Sequence, residues 1–584
     1  AKKRYQKFFS TSHPEYVKVQ SKLSKTYYMS GDWRHAQIQM EEVLSNYKHF
    51  IETYFPALSE REKTKFWNTI KTDYEFYVSL IISNNRNEKY IGELYNNALL
   101  TKALLLNASI KIRHRIMGSQ DEELIENYMK WVDKKELLTT ALSMTNDQLV
   151  QSGINTGQLS NELEQLEKEL SLSSELFGQE YEKKPITWED IQKNLQENEY
   201  AMEMVRFRVF NHTFTDSIKY ALLYVSGEKR SKPQLILLEN GKDLEAKYLN
   251  FYRNTIKYKI KDTQSYAAFW EPISRAIGSV STLYLSPDGV YNQINLEAIP
   301  LPEDGKYVID NSNIILLSNT RELLVTARKM TEAASQQMAL MFGNPLFYIE
   351  TTPGIASPGS GHTRETTQVI SQLPGTKKEI EEVKDLLSRK GWDINEYTDL
   401  EANEEAIKNV FNPKIFHVAT HGFFQNERIE ANAMDTELHE NYLYENPLMK
   451  SGLLLAGAGD ILNETRFNYN VNNGILTAYE AMNLNLDQTD LVVLSACETG
   501  LGEVESGEGV YGLQRAFMVA GAKTIIMSLF KVSDEATQQL MIKFYRKWIE
   551  TGNKRLAFSE AKKEIRIEYR DPIYWGPFIM IGLE

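Results

Sequence analysis

Asp490-Leu-Val-Val-Leu-Ser-Ala-Cys497-Glu-Thr-Gly-Leu-Gly502 is the stretch on which the reading of this chain turns. Residues 491–494 are an unbroken run of leucine and valine, too short for a helix and ended by small residues and glycines. Such a run reads as a strand buried on both faces of a parallel sheet. Open α/β sheets place their chemistry just beyond the carboxyl ends of their strands. The turn Ser495-Ala-Cys497 is therefore where a nucleophile is expected, and Cys497 is the only cysteine in the sequence.

Working outward, the 584 residues are too many for one core and suggest about three to four domains. A hydrophobic content of 42% and a charged content of 25% are those of an ordinary soluble chain. The net charge of −13 argues against non-specific nucleic-acid binding, because phosphate contacts need clustered Lys and Arg. It leaves a basic protein substrate open. No segment approaches the ~18–20 consecutive apolar residues of a membrane helix, and Ala1-Lys-Lys-Arg-Tyr5 has no apolar signal core. A lone cysteine makes no intrachain disulfide, so a cytoplasmic, bacterial-like protein is expected.

In order, residues 1–60 carry Leu23, Ser24, Tyr27, Gly31, Asp32, Trp33, Ala36, Met40 and Val43, a spacing that resembles one tetratricopeptide repeat. An unrelated helical hairpin stays open. No initiator Met is present, so the chain reads as the end of a truncated array. Residues 61–184 are expected to form a helical arm without chemistry of its own, with helices over 62–80 and 94–112 and an apolar stripe at Leu159, Leu163, Leu166 and Leu170. Residues 185–340 alternate strand-like runs (200–210, 220–225, 234–238, 282–285, 313–317) with helical pieces, the pattern of an α/β unit. Nothing there joins a nucleophile to a base, so this half is read as silent. Residues 341–584 form a second α/β half. It has a flexible loop at 350–366, a helix capped by Thr376 with Glu379 completing a capping box, strands over 392–397, 414–419 and 524–529, helices over 509–520 and 534–547, and a polar 425–473 segment read as a lid.

Two groups of residues carry chemistry. His421 follows the 414–419 run as Cys497 follows 491–494, so both emerge at the same sheet edge. A free thiol, with a pKa of ~8.5, is only a few per cent thiolate at neutral pH, and an imidazole beside it can accept its proton. Gly422 and Cys497 would supply N–H groups to an oxyanion. The second group is acidic: Asp487, Asp490, Glu498, Glu503, Glu505 and Glu508 lie in one stretch with no basic residue. Such charge raises a thiol pKa and would draw a cationic substrate side chain, for which Glu498 and Glu508 are candidates. Gly507-Glu-Gly-Val-Tyr-Gly512 matches a dinucleotide fingerprint but does not directly follow a strand. His417 and His421 stand ~13 Å apart along a strand, too far for one metal, so His417 reads as a core residue. No metal or cofactor is expected.

Several motifs then fall in order: Leu283 to Ile299, Leu373-Pro-Gly-Thr376, Ile415-Phe-His-Val-Ala-Thr-His-Gly422, the Cys497 stretch itself, Gly507 to Phe517, Ala520-Gly-Ala522, Ser528-Leu-Phe-Lys-Val-Ser-Asp534 and the terminal Tyr574-Trp-Gly-Pro-Phe-Ile-Met-Ile-Gly582. Together they resemble the CHAT domain, the caspase-like cysteine peptidase family related to separase and found attached to tetratricopeptide repeats. The resemblance spans about residues 185–584 and departs at Phe530 and Asn295, where the family commonly has Trp and Pro. It implies a multidomain chain: an α-helical repeat region followed by an α/β caspase-like region, with a silent pseudo-protease half (185–340) and an active half (341–584). It implies an endopeptidase with Cys497 as nucleophile and His421 as general base, and Asp534 as receiver of a basic P1 side chain. It further implies a protein substrate, a regulatory protein or ribonucleoprotein on the repeats, no direct nucleic acid or membrane, and a role in bacterial defence or cell death. A catalytically inactive CHAT scaffold is the alternative. A nucleotide-regulated signal protein is weaker, since no G-x-x-x-x-G-K-[ST] loop is present.

Overall fold

In the strands Ile415–Ala419 and Leu491–Ser495 every residue is buried, and successive side chains point to opposite faces. Phe416, Val418, Val492 and Leu494 therefore enter one apolar cluster, while Ile415, Ala419, Leu491 and Val493 enter another. The two strands pair in parallel, from Leu491 opposite Ile415 to Ser495 opposite Ala419. Burial on both faces is why the run is continuously apolar rather than alternating.

The structure, a computed structural model, describes residues 11–583 apart from 56–57, 85, 120, 143–145, 177–184, 279–281, 304, 327–336, 350–369, 425–446, 464–473, 498, 501 and 506. The two buried strands belong to an 11-stranded mixed sheet. Its order is Gln234–Leu238, Thr213–Ser226, Glu199–Asn211, Thr282–Ser286, Ile314–Leu316, Phe578–Ile581, Ile525–Ser528, Leu491–Ser495, Ile415–Ala419, Met338–Pro345 and Asp393–Asp399. One face is covered by helices including Leu513–Val519, the other by Pro374–Ser388, Asp534–Thr551 and Lys554–Glu568.

Two expectations change here. The boundary drawn at 340/341 falls inside the Met338–Pro345 strand, and the silent half does not merely pack beside the other half. The two share one sheet, joined by Phe578–Ile581, which runs parallel to Ile314–Leu316 and antiparallel to Ile525–Ser528.

The N-terminal region is helical. Helices Pro14–Met29 and Trp33–Thr53 form a hairpin whose turn uses Gly31 at φ 82, with Asp32 accepting from the His35 N–H. Its first ten residues lie outside the described ones. Helix Glu60–Asn84 follows, and a single apolar cluster then runs from Val17 through Trp67 and Tyr95 to Val225. The arm as far as Leu105 is thus cored together with the edge of the sheet, while helices Glu122–Leu142 and Thr156–Leu176 share smaller clusters of their own.

The helix expected over 94–112 is two helices, Glu88–Thr101 and Leu104–Met117, broken at Lys102-Ala103 with Ala103 left-handed at φ 52. The cause is tertiary. Lys102 turns inward to Glu203 (3.0 Å) and the Ser286 carbonyl (2.8 Å). Asn319 Nδ2 donates to the orphaned carbonyls of Leu99 and Lys102, each at 3.1 Å. Glu508 accepts from the Leu105 N–H that opens the second helix. Buried helix ends need such partners.

Part of the 425–473 segment is not a lid. Ser451–Leu454 is a buried strand between His421–Phe424 and Ile475–Thr477 in a three-stranded sheet. Residues 425–446 and 464–473 of that segment and the 350–366 loop lie outside the described residues. No described helix is long and apolar enough to cross a membrane.

Candidate active site

Ala419 and Ser495 are the last paired residues of the two central strands. His421 and Cys497 each lie two positions further on, just past the same end of this ladder. The approach is close: a Cβ on Gly422 would stand 2.5 Å from the Cys497 carbonyl oxygen and 2.9 Å from Thr499 Cγ2. Gly422 is thus required by proximity and not by its backbone angles. His421, Gly422 and Cys497 are all half-buried.

Past Thr420 the chain leaves the main sheet, and His421 and Gly422 pair with Leu454 and Leu453. His421 packs its ring on Phe347, with centroids 5.3 Å apart, and its Nε2 lies 2.8 Å from the Ser371 carbonyl. A carbonyl only accepts, so Nε2 carries the hydrogen. In the neutral ring Nδ1 is then the basic nitrogen.

The cysteine turn is held from the other side by Ser528. Its Oγ donates to the Ala496 carbonyl (2.6 Å), its N–H donates to Thr499 Oγ1 (3.1 Å), and its carbonyl accepts from Gly500 N–H (2.7 Å). Below the turn, the buried Glu379 lies 2.8 Å from His417 Nε2 and accepts from Ser495 Oγ at 3.1 Å. His417 is fully buried, with its Nδ1 3.0 Å from the Tyr545 hydroxyl. Burial holds the Glu379 carboxyl above the usual carboxylate range and the Tyr545 hydroxyl well above its ordinary value. The capping box read at this helix is therefore wrong. Helix Pro374–Ser388 has Leu373 as its cap residue, Thr376 Oγ1 donates back to Leu373 O, and Glu379 points into the core.

Asp534 opens helix Asp534–Thr551 and accepts from the Gly375 N–H at 2.9 Å. It is half-buried, and Ser371, on the same 371–375 segment, meets His421. The acidic stretch, by contrast, does not face the site as a block. Asp487 meets Arg113, Asp490 meets Lys523 and Lys414, Glu503 meets Lys450, and Glu505 meets Lys71. Cations distant in sequence supply the balance that the local run lacks. Glu508 is buried, paired with Arg515 at 3.3 Å and bonded to Leu105 N–H, so it is a structural anchor and not a substrate contact. Glu498 lies outside the described residues. The fingerprint-like glycines form no phosphate loop: Gly507 lies between the paired strands Glu503–Glu505 and Gly509–Tyr511, Gly509 opens the second of them and Gly512 caps helix Leu513–Val519, with Gly507 N–H on Asp288 and its carbonyl on Ala103 N–H.

Sequence reasoning missed Ser371 and the bridging role of Glu379. The one signal for Glu379 was its place three residues after Thr376, which pointed to a cap.

The CHAT domain model matches residues 263–583, more than half of the chain. The chain belongs to the CHAT domain family. The resemblance read from the motifs is thus borne out, and this CHAT protein joins a helical region to a mixed α/β sheet. Tetratricopeptide repeat protein 28 of Homo sapiens is 31% identical over 110 residues, 18% of this chain and 4% of that protein. The Mus musculus counterpart is 30% identical over the same length. This chain therefore spans only a small part of those relatives. Among solved structures, the Arg-specific cysteine proteinase gingipain R has 11% identity and a TM-score of 0.34, covering 59% of this chain and 75% of that one. The Saccharomyces cerevisiae separase-securin complex has 9% identity and a TM-score of 0.38, covering 100% and 48%.

Proposed function

We propose that this CHAT protein is a cysteine endopeptidase that cleaves a specific protein partner through Cys497 and His421. What supports the reading is the equal step of both residues past the Ala419/Ser495 pair, with Gly422 seated on the Cys497 carbonyl. His421 Nδ1 takes the Sγ proton, the thiolate adds to the scissile carbonyl, and the Gly422 and Cys497 N–H groups receive the oxyanion. His421 returns the proton to the leaving amine. Water, deprotonated by the same ring, then releases the thioester as a carboxylic acid and restores the thiol.

Asp534 takes a basic P1 side chain in this proposal, its Gly375 contact fixing the carboxylate. The helical arm, cored with the sheet edge and anchored through Glu508, is the surface on which a regulatory protein or ribonucleoprotein would act, in a cytoplasmic bacterial defence or cell-death setting. The test is N-terminal proteomics of cells expressing wild type or Cys497→Ala. New N-termini that follow Lys or Arg in wild type alone are expected. Persistence of the same cuts in Cys497→Ala refutes the nucleophile and leaves the scaffold reading.

A further inference from the structure

One buried polar group has no part in the chemistry above. Glu379, His417, Ser495 and Tyr545 are all buried and lie among Met341, Ala419, Val493 and Phe544 in the apolar layer on one face of the sheet. A carboxylate and an imidazole are costly in such a layer, and apolar residues of similar volume are often as stable or more so. Burial of such a group is therefore weak evidence for a stabilising role.

Its geometry is that of a bridge. His417 belongs to the strand that leads to His421, and Ser495 belongs to the strand that leads to Cys497. Glu379 contacts both from a third element, Oε1 against His417 Nε2 and Oε2 receiving Ser495 Oγ. Ala419 and Ser495 form the last ladder pair between these strands among the described residues, and Glu379 braces the ladder there and at His417, two residues below, from the helix that covers the sheet. The element that carries Glu379 also reaches the rest of the site. Gly375, one turn earlier on the same helix face, holds Asp534, and Ser371 holds His421.

We propose that Glu379 is a positioning residue of the site: by holding Ser495 and His417 together it keeps the ladder end, and with it the Cys497 turn, in place against the 371–375 segment that holds His421 and Asp534. The inference rests on the reading of Cys497 and His421 as a catalytic pair. Glu379 itself touches no substrate and acts through Ser495 and His417.

The experiment is alkylation of Cys497 by iodoacetamide, which needs no substrate recognition. It is followed across pH in wild type, His421→Ala, Glu379→Gln and the double variant, with melting temperatures to establish folding. Wild type is expected to react faster than His421→Ala. Glu379→Gln, folded, should lose about 10- to 100-fold, and adding His421→Ala should cost it little more, because the imidazole no longer meets the thiol. A Glu379→Gln protein that melts lower yet keeps the wild-type rate, pH profile and His421 dependence overturns the proposal. If Glu379→Gln does not fold, Ser495→Ala decides: a slowed, His421-insensitive rate supports the bridge and a wild-type rate overturns it. A wild-type rate indifferent to His421→Ala overturns the pair itself, a failure visible before any Glu379 variant is made.

Discussion

Replacing Gly422 by alanine tests the site at its tightest point. The added Cβ would lie 2.5 Å from the Cys497 carbonyl oxygen, whereas real Cβ atoms essentially never come within 3.0 Å. The second neighbour, Thr499 Cγ2 at 2.9 Å, closes the sideways escape. Thr499 is itself held by Ser528. The Cys497 carbonyl and the His421-Gly422 backbone must therefore separate by about 0.5 Å, the difference between those two distances. Overpacking of this kind costs about 1–3 kcal/mol of stability, which a sheet of this size tolerates. Misplacement approaching 1 Å between a nucleophile and its base costs on the order of 100-fold in rate. Gly422→Ala is thus expected to stay folded, with a melting temperature a few degrees lower, and to label 10- to 100-fold more slowly with an electrophilic peptide directed at Cys497. A folded Gly422→Ala protein that labels at the wild-type rate would show that the two strand ends do not work as a pair.

Other expectations follow from buried charge. Arg515→Met leaves the Glu508 carboxylate buried without its ion-pair partner and should cost about 3–5 kcal/mol in urea unfolding. Adding Glu508→Gln should return most of it, and a single variant no worse than the double refutes the pairing. Glu322 accepts from the Ser318 and Asn319 N–H groups, yet burial pushes its carboxyl up to about 7. The folded chain then keeps a proton that the unfolded chain releases near 4.5. The stabilisation is complete below that value and is lost as the pH rises through about 7. Wild type should accordingly lose stability relative to Glu322→Gln between pH 5 and 8, and parallel melting curves would refute the assignment.

The parts of this molecule governed by local pattern were legible in its sequence. Strand Gln234–Leu238 and the pair Ile415–Ala419 and Leu491–Ser495 announce themselves as short apolar runs. Strand Met338–Pro345 went unread: it ends in Gly343-Asn-Pro345, a turn-like sequence that masks five apolar residues. The break at Lys102-Ala103 left no trace, because neither proline nor glycine stands between 94 and 112 and the bend is drawn by Glu203, Asn319 and Glu508 from afar. Charge misled in the same way. Asp487 to Glu508 looked uncompensated because Arg113, Lys450, Lys414 and Lys71 are distant in sequence and near only in space. Glu379 fitted a capping box and took a core position instead, since His417 and Ser495 offered it partners that the helix end did not.

The strand that joins the two halves has a consequence for the order of assembly. Ile581 pairs with Leu316 across nearly half of the chain, a long loop to close before the contact rewards it. Until Phe578–Ile581 has been synthesised, Ile314–Leu316 and Ile525–Ser528 each lack that neighbour and present raw edges, the kind of surface on which chains stick to one another. A ribosome carrying this chain thus holds two half-sheets that cannot be sealed until Phe578–Ile581 emerges. Only Ile525–Ser528 separates the strand leading to Cys497 from that joining strand, so the cysteine turn gains its final support only after Phe578–Ile581 has emerged.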